Sequence, residues 1–415
     1  MQDKITTHST FLQLFQPILS KNIWAKINSK NPGLDRYVKK LHSYQLIELL
    51  MLAQIQQYRS LDEISKSLSN VKLSKAIELE SISASQLSRR IQTLPANVVE
   101  QLLAELVNNV RNKTSIDSIR QQIGRLNLID SSTVSLSLTK YSWAKFRKTK
   151  SGIKLHLGLD FFKEMVPVNS IITEAKKNDR TQMDSLVVKD KDVINVFDRG
   201  YVDYKKFDEY CEAGIRFVTR LKDNAYTQEL KAAFVEEDSS IEEDLTIILG
   251  KNYTKMKHKL RLVVTKDTKD NPVMILTNVF NKSAEEISSI YRSRWKIELF
   301  FKWIKQHLQI KHLYGQSPAA VENQIMIALV TYCAIMLLKL LSGYQGTLLH
   351  VTRILKVCLH QAFSTFVQAI HRNNGKSSRG RRRLNHEIVY EATVMQVEAG
   401  EYDFLNDLTY DPVIL

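Results

Sequence analysis

Three carboxylates stand where a chain of this kind can do chemistry. Asp130 follows the apolar run Arg125-Leu-Asn-Leu-Ile129 and precedes Ser131-Ser-Thr133, and Asp198 follows Val193-Ile-Asn-Val-Phe197 and precedes Arg199-Gly-Tyr201. Acids at strand ends, where a loop opens, are well placed for chemistry in an α/β sheet. Each alone also suits a turn or a helix cap. The third is Glu298, within Tyr291-Arg-Ser-Arg-Trp-Lys-Ile-Glu-Leu-Phe-Phe-Lys-Trp-Ile-Lys305. At about 100° per residue, Tyr291, Arg294, Glu298 and Lys305 fall in one arc roughly 60° wide. Ile290, Ile297, Phe300, Phe301, Ile304 and Leu308 take the adjoining arc and would face a core. One helix then presents an aromatic, a cation, an acid and a second cation beside its buried stripe. A solvated face with ion pairs one turn apart would explain the charges, but not the tyrosine.

Three carboxylates with no His or Cys cluster nearby make a hard-oxygen site. That donor set suits Mg²⁺, with Mn²⁺ as a substitute, and is a poor match for zinc. Two such ions about 4 Å apart activate a water or a 3′-hydroxyl and stabilise the leaving oxygen in phosphodiester cleavage or transfer. Arg294 and Lys305 would hold DNA phosphates, and Tyr291 would bond a phosphate or stack on a base. The whole-chain charge agrees. Lys plus Arg total 59 against 44 acids, a net +15 over 415 residues, which points to a polyanionic partner.

The spacing Tyr291-x₂-Arg294-x₃-Glu298-x₆-Lys305 resembles the Y-R-E-K signature of DDE transposases from bacterial insertion sequences, the family usually numbered four. Asp198-Arg-Gly-Tyr201 looks like that family's second-Asp motif, and Leu128-Ile-Asp-Ser131 like its first. The resemblance covers about residues 122 to 345. It implies an RNase H-like fold with Asp130, Asp198 and Glu298 as catalytic metal ligands. It also implies cut-and-paste excision and integration of an insertion sequence. Nicking would free a 3′-hydroxyl, a hairpin would form at each element end, and its opening would precede joining to target DNA. Tyr291 and Arg294 would contact phosphates near a flipped base, and Lys305 would lie by the cleaved strand. The partners implied are terminal inverted repeats and target DNA, handled by a homodimer on paired ends. Two other readings share the residues: an RNase H-like nuclease that cuts without joining, and a domesticated DNA-binding regulator without catalysis.

The elements that must position these residues follow from the hydrophobic pattern. Residues 1–115 read as a helical domain for DNA binding or dimerisation. Ser60-Leu-Asp-Glu63 and Ser83-Ala-Ser-Gln86 are helix-opening patterns. The two short helices they begin suit either a helix-turn-helix, with Arg89 and Arg90 toward DNA, or a small packing bundle. From about 122 the period falls to two. Arg125–Asp130, Thr133–Leu138, Ile153–Asp160, Val166–Thr173, Val193–Phe197 and Ile215–Arg220 read as strands, the fifth apolar enough to be buried on both faces. The expected class is therefore α/β: an RNase H-like mixed sheet over 122–223, a β-rich insertion over 224–282, and a second catalytic part over 283–345. The remainder, 346–415, reads as a helical region with a basic loop at 371–383 and an acidic tail. Ser283-Ala-Glu-Glu286 opens the helical part.

Further residues carry weaker signals. From Lys140 to His156 the chain holds Lys145, Arg147, Lys148 and Lys150 among Tyr141, Trp143 and Phe146, with no acid. Basic residues mixed with aromatics suit a DNA-contacting hairpin. His156, Tyr201 and Lys222 are further site candidates, each with a structural alternative. Asp160 and Asp179 are rival acids, and Trp295 and Trp303 are expected to pack. Cys211, Cys333 and Cys358 form no disulfide framework and no zinc spacing. The N-terminus lacks a signal-like apolar run. The longest apolar stretch, Ile325–Leu338, is short of a membrane span. A cytoplasmic, nucleoid-associated protein without a membrane partner is expected. Residues 387–415 hold seven acids and no Lys or Arg, so the remainder of the chain carries +22 against the whole-chain +15. The tail is expected to be a solvated end or a mask over basic surface.

Overall fold

The computed structural model describes residues 9–114, 124–161, 165–236, 239–267 and 270–372. Most of the basic loop and all of the acidic tail lie outside the described residues. Seven helices come first: α1 (Thr10–Phe15), α2 (Lys21–Lys30), α3 (Ser43–Gln56), α4 (Leu61–Ser67), α5 (Val71–Ile77), α6 (Ala84–Thr93) and α7 (Ala96–Lys113). Ser60, Asn70 and Ser83 each accept a backbone N–H of the helix they open, a cap worth about 1 kcal/mol. α3 is apolar on nearly every side and buried from Leu46 to Ile55, as a helix without a polar face must be.

The sheet comprises β1 (Arg125–Leu136), β2 (Lys145–Arg147), β3 (Lys150–Phe161), β4 (Met165–Glu174), β5 (Val193–Phe197), β6 (Arg216–Arg220), β7 (Thr227–Ala232), β8 (Ile241–Leu249), β9 (Leu260–Lys266) and β10 (Pro272–Thr277). The short α8 (Met183–Leu186) precedes β5, and α9 (Tyr204–Glu212) crosses from β5 to β6. The spatial order is β2-β3-β1-β5-β6-β10-β9-β8-β7, with β4 also on β3. β3 runs antiparallel to both β1 and β4, whereas β5 and β6 are parallel to β1. The run β4-β3-β1-β5-β6 is an RNase H-like mixed sheet. The strands of 224–282 do not stand apart from it. β10 pairs with β6, and β9, β8 and β7 follow in turn.

Strand alternation sorts the side chains onto two faces. Leu126 and Leu128 of β1, Ile194 and Val196 of β5, and Val218 of β6 join the core shared with the helices around them. Ile129, Phe197 and Phe217 point the other way, toward Phe207 and Tyr210 of α9. The helical end of the chain is α10 (Ala284–Arg292), α11 (Trp295–His307), α12 (Pro318–Leu341), α13 (Leu348–Cys358) and α14 (Phe363–His371). α12 extends the Ile325–Leu338 run to 24 residues, with Ser317 as cap and Pro318 in the first turn. It is long and apolar enough to cross a membrane, but 89% of its most apolar window is buried within the fold. It packs on α3, α6, α7, α13 and β4.

Two elements differ from expectation. β1 is one 12-residue strand, not two, because Ser131, Ser132 and Thr133 stay paired with His156, Leu155 and Lys154 of β3. Asp130 therefore lies inside a strand and not at its end. The Tyr291–Lys305 segment is likewise two helices. The amides of Ser293 and Arg294 bond the carbonyls of Ile290 and Tyr291 three residues back, which tightens the turn between α10 and α11.

Candidate active site

The register of the parallel strands brings the two aspartates together. Leu128 lies beside Val196 and Ile129 beside Phe197, where the pairing ends. Asp130 and Asp198 are the next residue on each strand. They follow Leu128 and Val196 on the same face, toward α10 and α11. Asp198 is fixed by the amide of Gly200, 2.7 Å from its Oδ1. A Cβ on Gly200 would stand 2.9 Å from that same oxygen, so any other residue there would push the Asp198 carboxylate aside. Thr219 of β6 donates its hydroxyl to the Asp198 carbonyl at 3.2 Å.

The third acid arrives on α11, which lies along β1. Lys305 Nζ donates to the Thr133 carbonyl at 3.0 Å, fixing the far end of that helix to the strand. At its near end Arg294 links the acids: Nη2 is 2.6 Å from Glu298 Oε1, and Nη1 is 3.4 Å from Asp130 Oδ2. Tyr291 sits one turn before, half-buried. The four residues of the arc thus stay on one side despite the break between the helices.

Burial pushes the Asp130 carboxyl up to about 7; Arg294 pulls against this, and the charges of Glu298 and Asp198 add to it. Glu298 Oε2 is buried without a hydrogen-bond partner. A carboxyl that resists ionisation at Asp130, beside a Glu298 oxygen without a partner, fits a hard divalent cation better than any neutral ligand. Among the described residues no three acids, His or Cys converge closely enough to grip one ion as they stand. The guanidinium of Arg294 lies between two of the three.

Three of the further candidates, Asp179, His156 and Tyr201, gather beside Asp130. Asp179 accepts the Ser131 hydroxyl at 2.7 Å, and Lys154 Nζ stands 3.0 Å from it. His156 is fully buried. Its Nε2 meets the Thr173 hydroxyl at 2.9 Å, and its Nδ1 is 3.4 Å from Asp179. Burial drives its pKa down to about 4, so the ring is neutral; Asp179 acts against this and Lys154 with it. Tyr201 is buried with its hydroxyl unbonded, within electrostatic reach of Asp130, Asp179 and Asp198. Its place in the sequence, three after Asp198, was the one available signal. The other rival, Asp160, is spent on Arg111 of α7 at 2.6 Å and Arg125 at 3.5 Å.

Lys145, Arg147, Lys148 and Lys150 are exposed on the β2–β3 hairpin. Its aromatics hold it in place: Tyr141 is buried, Trp143 Nε1 donates to the Gln316 carbonyl at 2.7 Å, and Arg147 lies over the Phe146 ring. Lys222 is exposed just after β6. On α6, Arg89 is exposed, but Arg90 turns inward. It donates to Asp35 at 2.5 Å, to the Ser43 hydroxyl and to the Leu41 carbonyl, so its donors are engaged within the helical region. Trp303 packs fully buried against Tyr332.

The chain is similar to known transposases. The sequence profile described as "Transposase DDE domain" matches residues 122–334, more than half of the chain. The probable transposase for insertion sequence element IS5377 of Geobacillus stearothermophilus is 27% identical over 328 residues, 78% of this chain and 84% of that one. The putative transposase y4zB of Sinorhizobium fredii is 30% identical over 247 residues, 58% of this chain and 68% of its own length. A cryo-EM structure of the piggyBac transposase synaptic complex with hairpin DNA aligns over 93% of this chain and 85% of that chain, with a TM-score of 0.43 and 11% identity.

Proposed function

Because the chain belongs to the family of proteins with a transposase DDE domain, we propose that it excises and reinserts an insertion sequence through Asp130, Asp198 and Glu298. The observation that carries this reading is the placing of two acids side by side, with the third tied to them by a guanidinium. Two extend neighbouring parallel strands, and the third is joined to the first through Arg294. The donor set suits Mg²⁺, with Mn²⁺ as a substitute, and two ions would be shared by Asp130, Asp198 and Glu298. When bound, such ions activate a water or 3′-hydroxyl and stabilise the leaving oxygen.

The chain's own residues do the positioning. Arg294 leaves the acids for a phosphate as the DNA strand enters, since a bidentate guanidinium suits either partner. Tyr291, raised in pKa chiefly by burial, stays a neutral hydroxyl that donates to a phosphate or stacks on a base. Lys305, already at the active edge of β1, lies by the cleaved strand. The exposed hairpin of Lys145, Arg147, Lys148 and Lys150 follows the backbone of the same duplex. Hairpin formation at the element ends, cut-and-paste joining and action as a homodimer on paired inverted repeats complete the reading.

Alanine at Asp130, Asp198 or Glu298 is expected to abolish metal-dependent cleavage of an element-end duplex while leaving its binding in place. Undiminished cleavage by all three variants overturns the site. Gel analysis of the products separates the reactions: joined strands mark a transposase, and cut ends alone mark a nuclease. Short inverted repeats bracketed by a target duplication around the coding DNA are the genomic counterpart.

A further inference from the structure

We propose that Arg220 is a further phosphate-binding residue of this site, holding a non-bridging oxygen of the DNA strand on the β6 side of Asp198. The proposal rests on the reading that the site handles DNA. Its geometry comes from the sheet register. Ile129 lies beside Phe197, and Phe197 beside Thr219. One step further along each strand gives Asp130, Asp198 and Arg220, a lateral row across β1, β5 and β6. Neighbouring strands are about 4.8 Å apart, so Arg220 stands next to Asp198.

The three side chains share a face. Leu128, Val196 and Val218, each two residues earlier, all point into the core beneath α10 and α11, so the row's side chains project there too. The charge of Arg220 reaches the Tyr291 hydroxyl from that side. The sheet therefore ends in two acids and a cation in register, with Arg294 and Glu298 facing them from the helices.

Arg220 has no internal duty that accounts for its charge. Among the described residues no carboxylate forms an ion pair with it, and its Nε is buried without a hydrogen-bond partner. Leaving a buried guanidinium N–H unpaired is costly. The cost is recovered when a bidentate anion takes the fork, and the two non-bridging oxygens of a phosphodiester make it one. Arg294 differs, because its guanidinium already meets Glu298 and Asp130. Arg220 alone in the row is ready for substrate without first giving up a partner.

The same strand supplies a control. Arg216, at the other end of β6, is equally half-buried, and its Nε is equally unpartnered. It lies four residues from the row. A purely structural arginine on this strand would behave as Arg216 does.

The test uses the full chain and a labelled duplex that the wild-type protein cleaves, with Ca²⁺ in place of Mg²⁺ to hold off cleavage. Fluorescence anisotropy gives Kd from low to moderate salt. Arg220→Ala and Arg220→Gln are expected to weaken binding about tenfold and to lower the log–log salt slope by about 1. Arg220→Lys should keep the slope, and Arg216→Ala should match wild type. Unchanged Kd and slope in folded Arg220→Gln overturn the proposal, as does an equal loss in Arg216→Ala. If Arg220→Ala fails to fold, Arg220→Gln and Arg220→Lys still give both readouts. A wild-type chain that cleaves no DNA overturns the underlying reading and this proposal together. Wild-type cleavage with an indifferent Arg220 overturns the proposal alone.

Discussion

Burial raises the pKa of two carboxyls in this chain, and their neighbours differ. At Asp130 the neighbouring acids belong to the site. At Glu48, inside α3, burial raises the pKa to about 8, with Glu78 adding to it, and one oxygen has no hydrogen-bond partner. The unfolded Glu48 loses its proton near 4.5, so the folded chain binds more protons between about pH 4.5 and 8. Stability from this residue is full below 4.5 and is lost as pH rises through that window. Glu48→Gln should therefore stabilise the fold at pH 8 by an amount on the order of 4 kcal/mol, read as a higher melting temperature, and change little at pH 4.5. An equal gain at both values would rule out titration as the cause. Arg90 yields a second expectation. Arg90→Ala takes the guanidinium from half-buried Asp35, which keeps the amide and hydroxyl of Ser43 at 2.7 Å; the loss should cost about 2 kcal/mol in denaturant unfolding without changing the salt slope of DNA binding. A lowered slope would return Arg90 to the DNA surface.

The elements show what the pattern of residues could and could not reveal. β5 was legible because five consecutive buried residues leave little choice but a central strand, and Asp198 follows where they stop. β1 was misread at Ser131-Ser132-Thr133, which locally resembles a turn. Pairing with β3 carries the chain through that polar stretch, and cross-strand partners are invisible to local composition. The arc of Tyr291, Arg294, Glu298 and Lys305 was legible from spacing, although the joint at Ser293–Arg294 was not. Arg220 was missed because its meaning lies in register with Asp198, across a helix and 22 positions of chain. The opening of α10 was legible: Ser283 accepts the Glu286 amide, and Glu286 receives the Ser283 amide in return. Ser283→Ala should cost about 1 kcal/mol in thermal unfolding, and cleavage at a temperature well below melting should persist. A loss of cleavage without a loss of stability would show that the cap also aims Glu298.

Across the whole molecule one apolar core runs from Phe11 in α1 to Ile370 in α14 and takes in β1, β3 and β4. α12 is its axis, and the amides of Thr10 and Phe11 bond the carbonyls of Gln361 and Leu359 to close the two ends of the described chain on each other. A fragment spanning 122–345 would bare the α12 face that α3, α6 and α7 cover. It is expected to aggregate or to be degraded under limited proteolysis that the full chain withstands. A soluble, protease-resistant fragment would mean the sheet stands without the N-terminal helices. Charge is also distributed at this scale. Deleting 387–415 removes seven negative charges and is expected to tighten nonspecific DNA binding at low salt. Unchanged affinity would dispose of a masking role.

The ion pair between Arg111 of α7 and Asp160 of β3 joins the two halves of the chain on the side of the sheet away from the acids. Together with α12 it makes the N-terminal helices part of the framework that carries the sheet, not an appendage on a tether. A helical domain exchanged into this place would have to bring both a surface shaped to α12 and an arginine for Asp160, so this molecule resists the swapping of whole domains.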